Sequence, residues 1–65
     1  MDPVTATLFN LMNQLSLTEK ERRALDKHFT LNSTQIPIAL TALGNYQSNE
    51  RKAEYLRDLI RPGMS

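Results

Sequence analysis

Between Thr34 and Leu43 the chain reads TQIPIALTAL, its most apolar stretch, set inside a run without Asp, Glu, Lys or Arg from His28 to Asn49. At about 100° per residue, Ile36, Ala39, Leu40, Leu43 and Tyr46 share one side of a helix, and Ile38 and Ala42 widen the apolar arc to roughly 200°. A helix with so wide an arc has almost no face to give to water. It is expected in the middle of the fold or at a subunit contact, with the rest of the chain covering it.

The remaining sequence alternates between neutral and charged blocks: 3–18 uncharged, 19–27 charged, 28–49 uncharged, 50–61 charged. This pattern predicts an all-α bundle of four short helices over about 3–15, 18–29, 35–44 and 49–61, with the third central. The first starts at Pro3 behind an Asp2 N-cap and carries Val4, Leu8, Leu11, Met12 and Leu15 on one face, with Phe9 to one side. The second opens in a capping box, either Ser16 to Glu19 or Thr18 to Glu21, and turns Leu17, Ala24, Leu25, His28 and Phe29 inward. Ser33 or Thr34 caps the third, and Gly44 and Asn45 suit a left-handed C-terminal residue. The fourth follows a Ser48 or Asn49 cap, packs Ala53, Leu56, Leu59 and Ile60, and stops at Pro62. Leu40 and Leu43 are expected to bury against Leu11, Leu25, Leu56 and Ile60.

Length narrows this to one small domain, 1–65. Chains this short bury only about 60% of their unfolded surface and are marginal alone. Without cysteine neither a disulfide nor a thiolate metal site can brace the fold, so association with a second copy or another protein is the expected source of further stability. The cysteine-free composition fits a reducing compartment, no run approaches the roughly 18 apolar residues of a membrane span, and the N-terminus carries an acid where a signal peptide has a base. A cytoplasmic protein is expected, with no membrane partner. A net charge of +1 offers no electrostatic pull toward nucleic acid or anionic lipid.

Candidate chemistry is sparse. The one histidine, His28, lies on an apolar helix side, and Glu50, Glu54 and Asp58, aligned at i, i+4, i+8, are interleaved with Arg51, Arg57 and Arg61. The expectation is a non-enzymatic protein with no catalytic residue, cofactor or metal. A charge-free helical surface, by contrast, loses little on desolvation. The expected function is therefore regulatory or adaptor-like, through protein–protein contact and homodimerisation, with Phe9, Met12, Asn13, Ile38, Ala42 and Tyr46 as candidate interface residues. Two alternatives stand beside it. One is an assembly subunit with a purely structural role. The other is a DNA-binding regulator, because Ala39 to Leu56 has the helix–turn–helix outline; there Asn49, Arg51 and Lys52 reach base edges and Arg57 a phosphate. Glu50, Glu54 and Asp58 would face the phosphates in that arrangement and offset their attraction.

Overall fold

The computed structural model describes residues 2–62, which form four helices: α1 (Pro3–Asn13), α2 (Glu19–Leu31), α3 (Gln35–Leu43) and α4 (Asn49–Leu59). The principal packing pairs are α1 with α3, α2 with α4, and α3 with α4, so α3 touches helices on both sides. None of the described helices is long and apolar enough to cross a membrane.

Side-chain caps set most of the helix starts. Asp2 accepts from the Thr5 N–H at 3.1 Å, with Pro3 at the first helical position, where its missing N–H is not needed. At α2 the Thr18–Glu21 register forms: the Thr18 hydroxyl accepts from the Glu21 N–H at 3.0 Å and the Glu21 carboxylate accepts from the Thr18 N–H at 2.9 Å. Ser48 accepts from the Arg51 N–H at 3.1 Å and opens α4. Helix α3 differs. Thr34 is helical itself and makes no side-chain cap, and the N–H groups of Gln35 and Ile36 donate instead to the carbonyls of Asn32 and Ser33.

The helix ends depart from the pattern by a residue or two. α1 stops at Asn13, and the N–H groups of Gln14 and Leu15 turn in to the carbonyls of Leu11 and Met12; Leu15 leaves the helix yet stays buried. α2 runs past Phe29 to Leu31, closed by Asn32, whose backbone N–H and side-chain amide both donate to the His28 carbonyl at 2.9 Å. At the end of α3 Gly44 has φ −64° and ψ −17°, right-handed rather than left-handed. The helix closes through a tightened last turn: the Gly44 N–H is shared between the carbonyls of Leu40 and Thr41, and Asn45 and Tyr46 donate to Ala42 and Leu43.

The core takes Leu8 and Met12 from α1, Leu15 from the following loop, Leu25 and Phe29 from α2, Ile36, Ala39 and Leu43 from α3, and Ala53 and Leu56 from α4. Leu11, Leu59 and Ile60 pack against it half-buried, while Val4 is exposed. Two expectations for α3 need correction. Leu40 is only half-buried, and the helix does keep a wet side, made of Pro37, Ile38 and Thr41. The buried trio Ile36, Ala39 and Leu43 centres on one direction, from which Ile38 is turned by about 130°, too far to reach α1 or α4. A nine-residue helix packed on two neighbours still has part of its circumference to spare.

Candidate protein interface

The first loop and the start of α2 are both tied to α4. The Arg57 guanidinium donates from Nε to a Glu21 carboxylate oxygen at 2.8 Å and from Nη2 to the Ser16 carbonyl at 2.8 Å. The other Glu21 oxygen is the one that caps α2 through Thr18. The Thr18 N–H, and after it the Arg57 guanidinium, hold the Glu21 carboxyl below its ordinary range. Arg57 is thus a clamp between α4 and the start of α2, with its Nε and Nη2 donors engaged there. Of the other candidate DNA contacts, Asn49 and Arg51 are exposed and Lys52 is half-buried. Exposed Glu50 and Glu54 flank Arg51 along the same helix. A hollow of about 230 Å³ lies between Ser16 and the start of α4, lined by Asn49, Glu50, Ala53 and Arg57, and it too mixes an acid with the guanidinium.

The six candidate interface residues scatter. Met12 is 1% exposed and belongs to the core, so it cannot meet a partner in this fold. Phe9 is half-buried against the same core, which accounts for an aromatic on the edge of the α1 stripe. Asn13 is exposed, but its side-chain carbonyl accepts from the Arg22 guanidinium and ties α1 to α2. Tyr46, half-buried in the α3–α4 loop, pairs with Tyr55 of α4, ring centroids 6.0 Å apart and planes tilted by 40°. Burial, and then Tyr46 itself, push the Tyr55 phenol above its ordinary value. Ala42 is half-buried. Ile38 alone of the six is a large apolar side chain open to water, 55% exposed.

Ile38 has a counterpart, two turns of sequence earlier, that the hydrophobic pattern did not single out. Leu31, the last residue of α2, is 72% exposed. The signal was available: two residues after buried Phe29, Leu31 stands about 200° around the helix, opposite the core. The exposed residues between Leu31 and Ile38 are all neutral, namely Asn32, Ser33, Thr34, Gln35 and Pro37, and so are exposed Thr30 before them and Thr41 after. The corner joining α2 to α3 therefore presents two exposed aliphatic groups within a polar stretch that carries no formal charge.

Other chemistry does not gather. The described residues hold no group of three or more His, Asp or Glu side chains that converge as metal ligands. The His28 ring sits edge-on to Phe29, centroids 5.2 Å apart, and its Nε2 is buried without a hydrogen-bond partner. No protein-family model, curated protein or solved structure matches the chain.

Proposed function

We propose that this chain is a small non-enzymatic regulatory or adaptor protein that binds a protein partner, a second copy of itself included, through the uncharged corner between α2 and α3. The observation that carries the reading is the joint exposure of Leu31 and Ile38 on a stretch without charge. Burying such side chains contributes about 1.5–3 kcal/mol each, and the surrounding hydroxyls and amides cost far less to desolvate than ammonium or carboxylate groups. An assembly subunit would use the same surface. DNA binding has weaker support, since Arg57 is committed to Glu21 and Ser16 and acids border Arg51. The lack of cysteine supports a reducing compartment such as the cytoplasm.

The test is site-specific photocross-linking in cells, with a benzophenone side chain replacing Leu31, Ile38 or, as a control on the charged face of α4, Glu54. Discrete protein adducts from positions 31 and 38 but not from 54 are expected. Equal adduct yields from all three positions, or adducts to nucleic acid, would remove the reading.

A further inference from the structure

Helix α2 turns Leu25 and Phe29 into the core, and at about 100° per residue the side facing directly away from them carries Lys20, Arg23, Lys27 and Leu31 within an arc of about 80°. All four are exposed. They follow one another at about one-turn spacing, so this crest sets three cations along about 10 Å of helix and an aliphatic side chain one turn beyond them. Arg23 bonds to Glu19 with both side chains more than three-quarters open to water, at 77% and 78%, and water and salt weaken so exposed a pair. Among the described residues Lys20 and Lys27 make no ion pair. The acids of the helix stand off the crest: Glu19 and Asp26 lie on one flank, about 80–100° from its middle, and Glu21 is turned to Arg57 of α4.

Two kinds of group on one line restrict what can lie against it. The cations call for anions spaced by about a turn, and Leu31 calls for an apolar group just past them. A nucleic-acid backbone meets the first requirement alone, and its unbroken charge would also be brought against Glu19 and Asp26. A lipid surface takes a helix through an apolar side running along its length, and that side of α2 is occupied by the core. A protein segment has discrete carboxylates. It can set them opposite the crest, leave the acidic flank untouched and follow with an apolar residue.

We infer that the crest of α2 is the docking line for an acidic segment of a protein partner, with carboxylates against Lys20, Arg23 and Lys27 and an apolar side chain against Leu31. This rests on the protein-binding reading above and names the chemistry of the partner. Leu31 then supplies the apolar anchor, and the cations before it fix the direction in which the segment lies.

NMR titration of the isotope-labelled full chain tests it, with a synthetic helical peptide that carries glutamates one turn apart and a leucine one turn beyond as the probe. Amide shifts should concentrate between positions 20 and 31, and the affinity should fall as salt is raised. The same peptide with glutamine for glutamate should bind on the order of tenfold more weakly, and so should the chain carrying Lys20→Glu with Lys27→Glu. Leu31→Ser, which keeps every charge, should weaken binding by a few-fold. All three positions are exposed, so the variants should keep the wild-type spectrum outside α2. No shift at millimolar peptide, or shifts centred on another helix, overturns the inference. It is overturned too if a DNA duplex or phosphatidylglycerol vesicles bind as readily as the peptide, which would make the crest a general polyanion site. If position 31 cross-links to proteins in cells while the acidic peptide does not bind, the acidic docking line fails and the protein-binding reading stands.

Discussion

Glu21 serves two contacts at once, one on each carboxylate oxygen: the cap of its own helix and the Arg57 guanidinium of α4. Both favour the ionised form, so its carboxyl sits below the ordinary 4.5 in the folded chain. Stability from this group is therefore present above the unfolded-state value and is lost as pH falls through the lower folded value. The melting temperature should drop as pH is taken from about 5 toward about 2, and Glu21→Gln, which cannot titrate, should be less stable at neutral pH and fall less steeply over that range. Neighbouring leucines of α3 separate just as clearly. Leu43 is fully buried, and Leu43→Ala should cost about 2–5 kcal/mol, enough to leave a domain this small largely unfolded at room temperature. Half-buried Leu40 has less to lose, and Leu40→Ala should cost about 1 kcal/mol. Urea denaturation of the two variants checks the order; equal losses would put Leu40 back in the core.

At the scale of the helix, the ends depend on which hydrogen bonds can be made locally. α2 and α4 are opened by Thr18 and Ser48, whereas α3 has no side-chain cap and relies on packing of Ile36, Ala39 and Leu43. Its C-terminus shows the same reliance on backbone alone. Gly44 is right-handed there, so alanine is conformationally acceptable, although its Cβ would come 3.3 Å from the Thr41 carbonyl. The gain from a stiffer unfolded chain and this squeeze oppose each other, and Gly44→Ala should shift stability by less than about 1 kcal/mol. A left-handed cap would instead lose more than that. Thermal melting of the single variant distinguishes the two geometries.

For the whole molecule, the distribution of charge matters more than its total. Apart from Asp2, formal charges lie in 19–27 and 50–61, on α2 and on and just beyond α4, and several compensate one another: Arg23 with Glu19 at 2.9 Å, Arg57 with Glu21, Arg61 with Asp58 at 2.8 Å. Helix α3 carries none. Counterion release needs several uncompensated cations on one face, and exposed Glu50 and Glu54 beside Arg51 offset those of α4. Fluorescence anisotropy with a labelled duplex should show no salt-dependent binding between about 50 and 200 mM salt. Tight binding that weakens steeply over that interval would return α4 to the role of a recognition helix.

The four helices, their order and most of their starts were legible in the sequence because they follow from local rules: the spacing of apolar residues and the reach of a hydroxyl or carboxylate to the N–H three residues on. Leu8, Leu25, Phe29, Leu43, Ala53 and Leu56 could be placed in the core for the same reason. What local spacing does not contain is the direction from which a neighbour arrives. The arc from Ile38 to Leu40 is apolar all the way round one side of α3, and only the positions of α1 and α4 decide that Ile36, Ala39 and Leu43 are covered while Ile38 faces water. Likewise nothing in the spacing of Ser16, Glu21 and Arg57 shows that they meet, since they are brought together by the packing of α2 on α4. The lack of charge along 28–49 and the apolar character of Ile38 belong to the sequence, while the burial of Met12 in the core and the exposure of Leu31 and Ile38 were decided by the tertiary fold, which alone determines the apolar area left over once the core is filled.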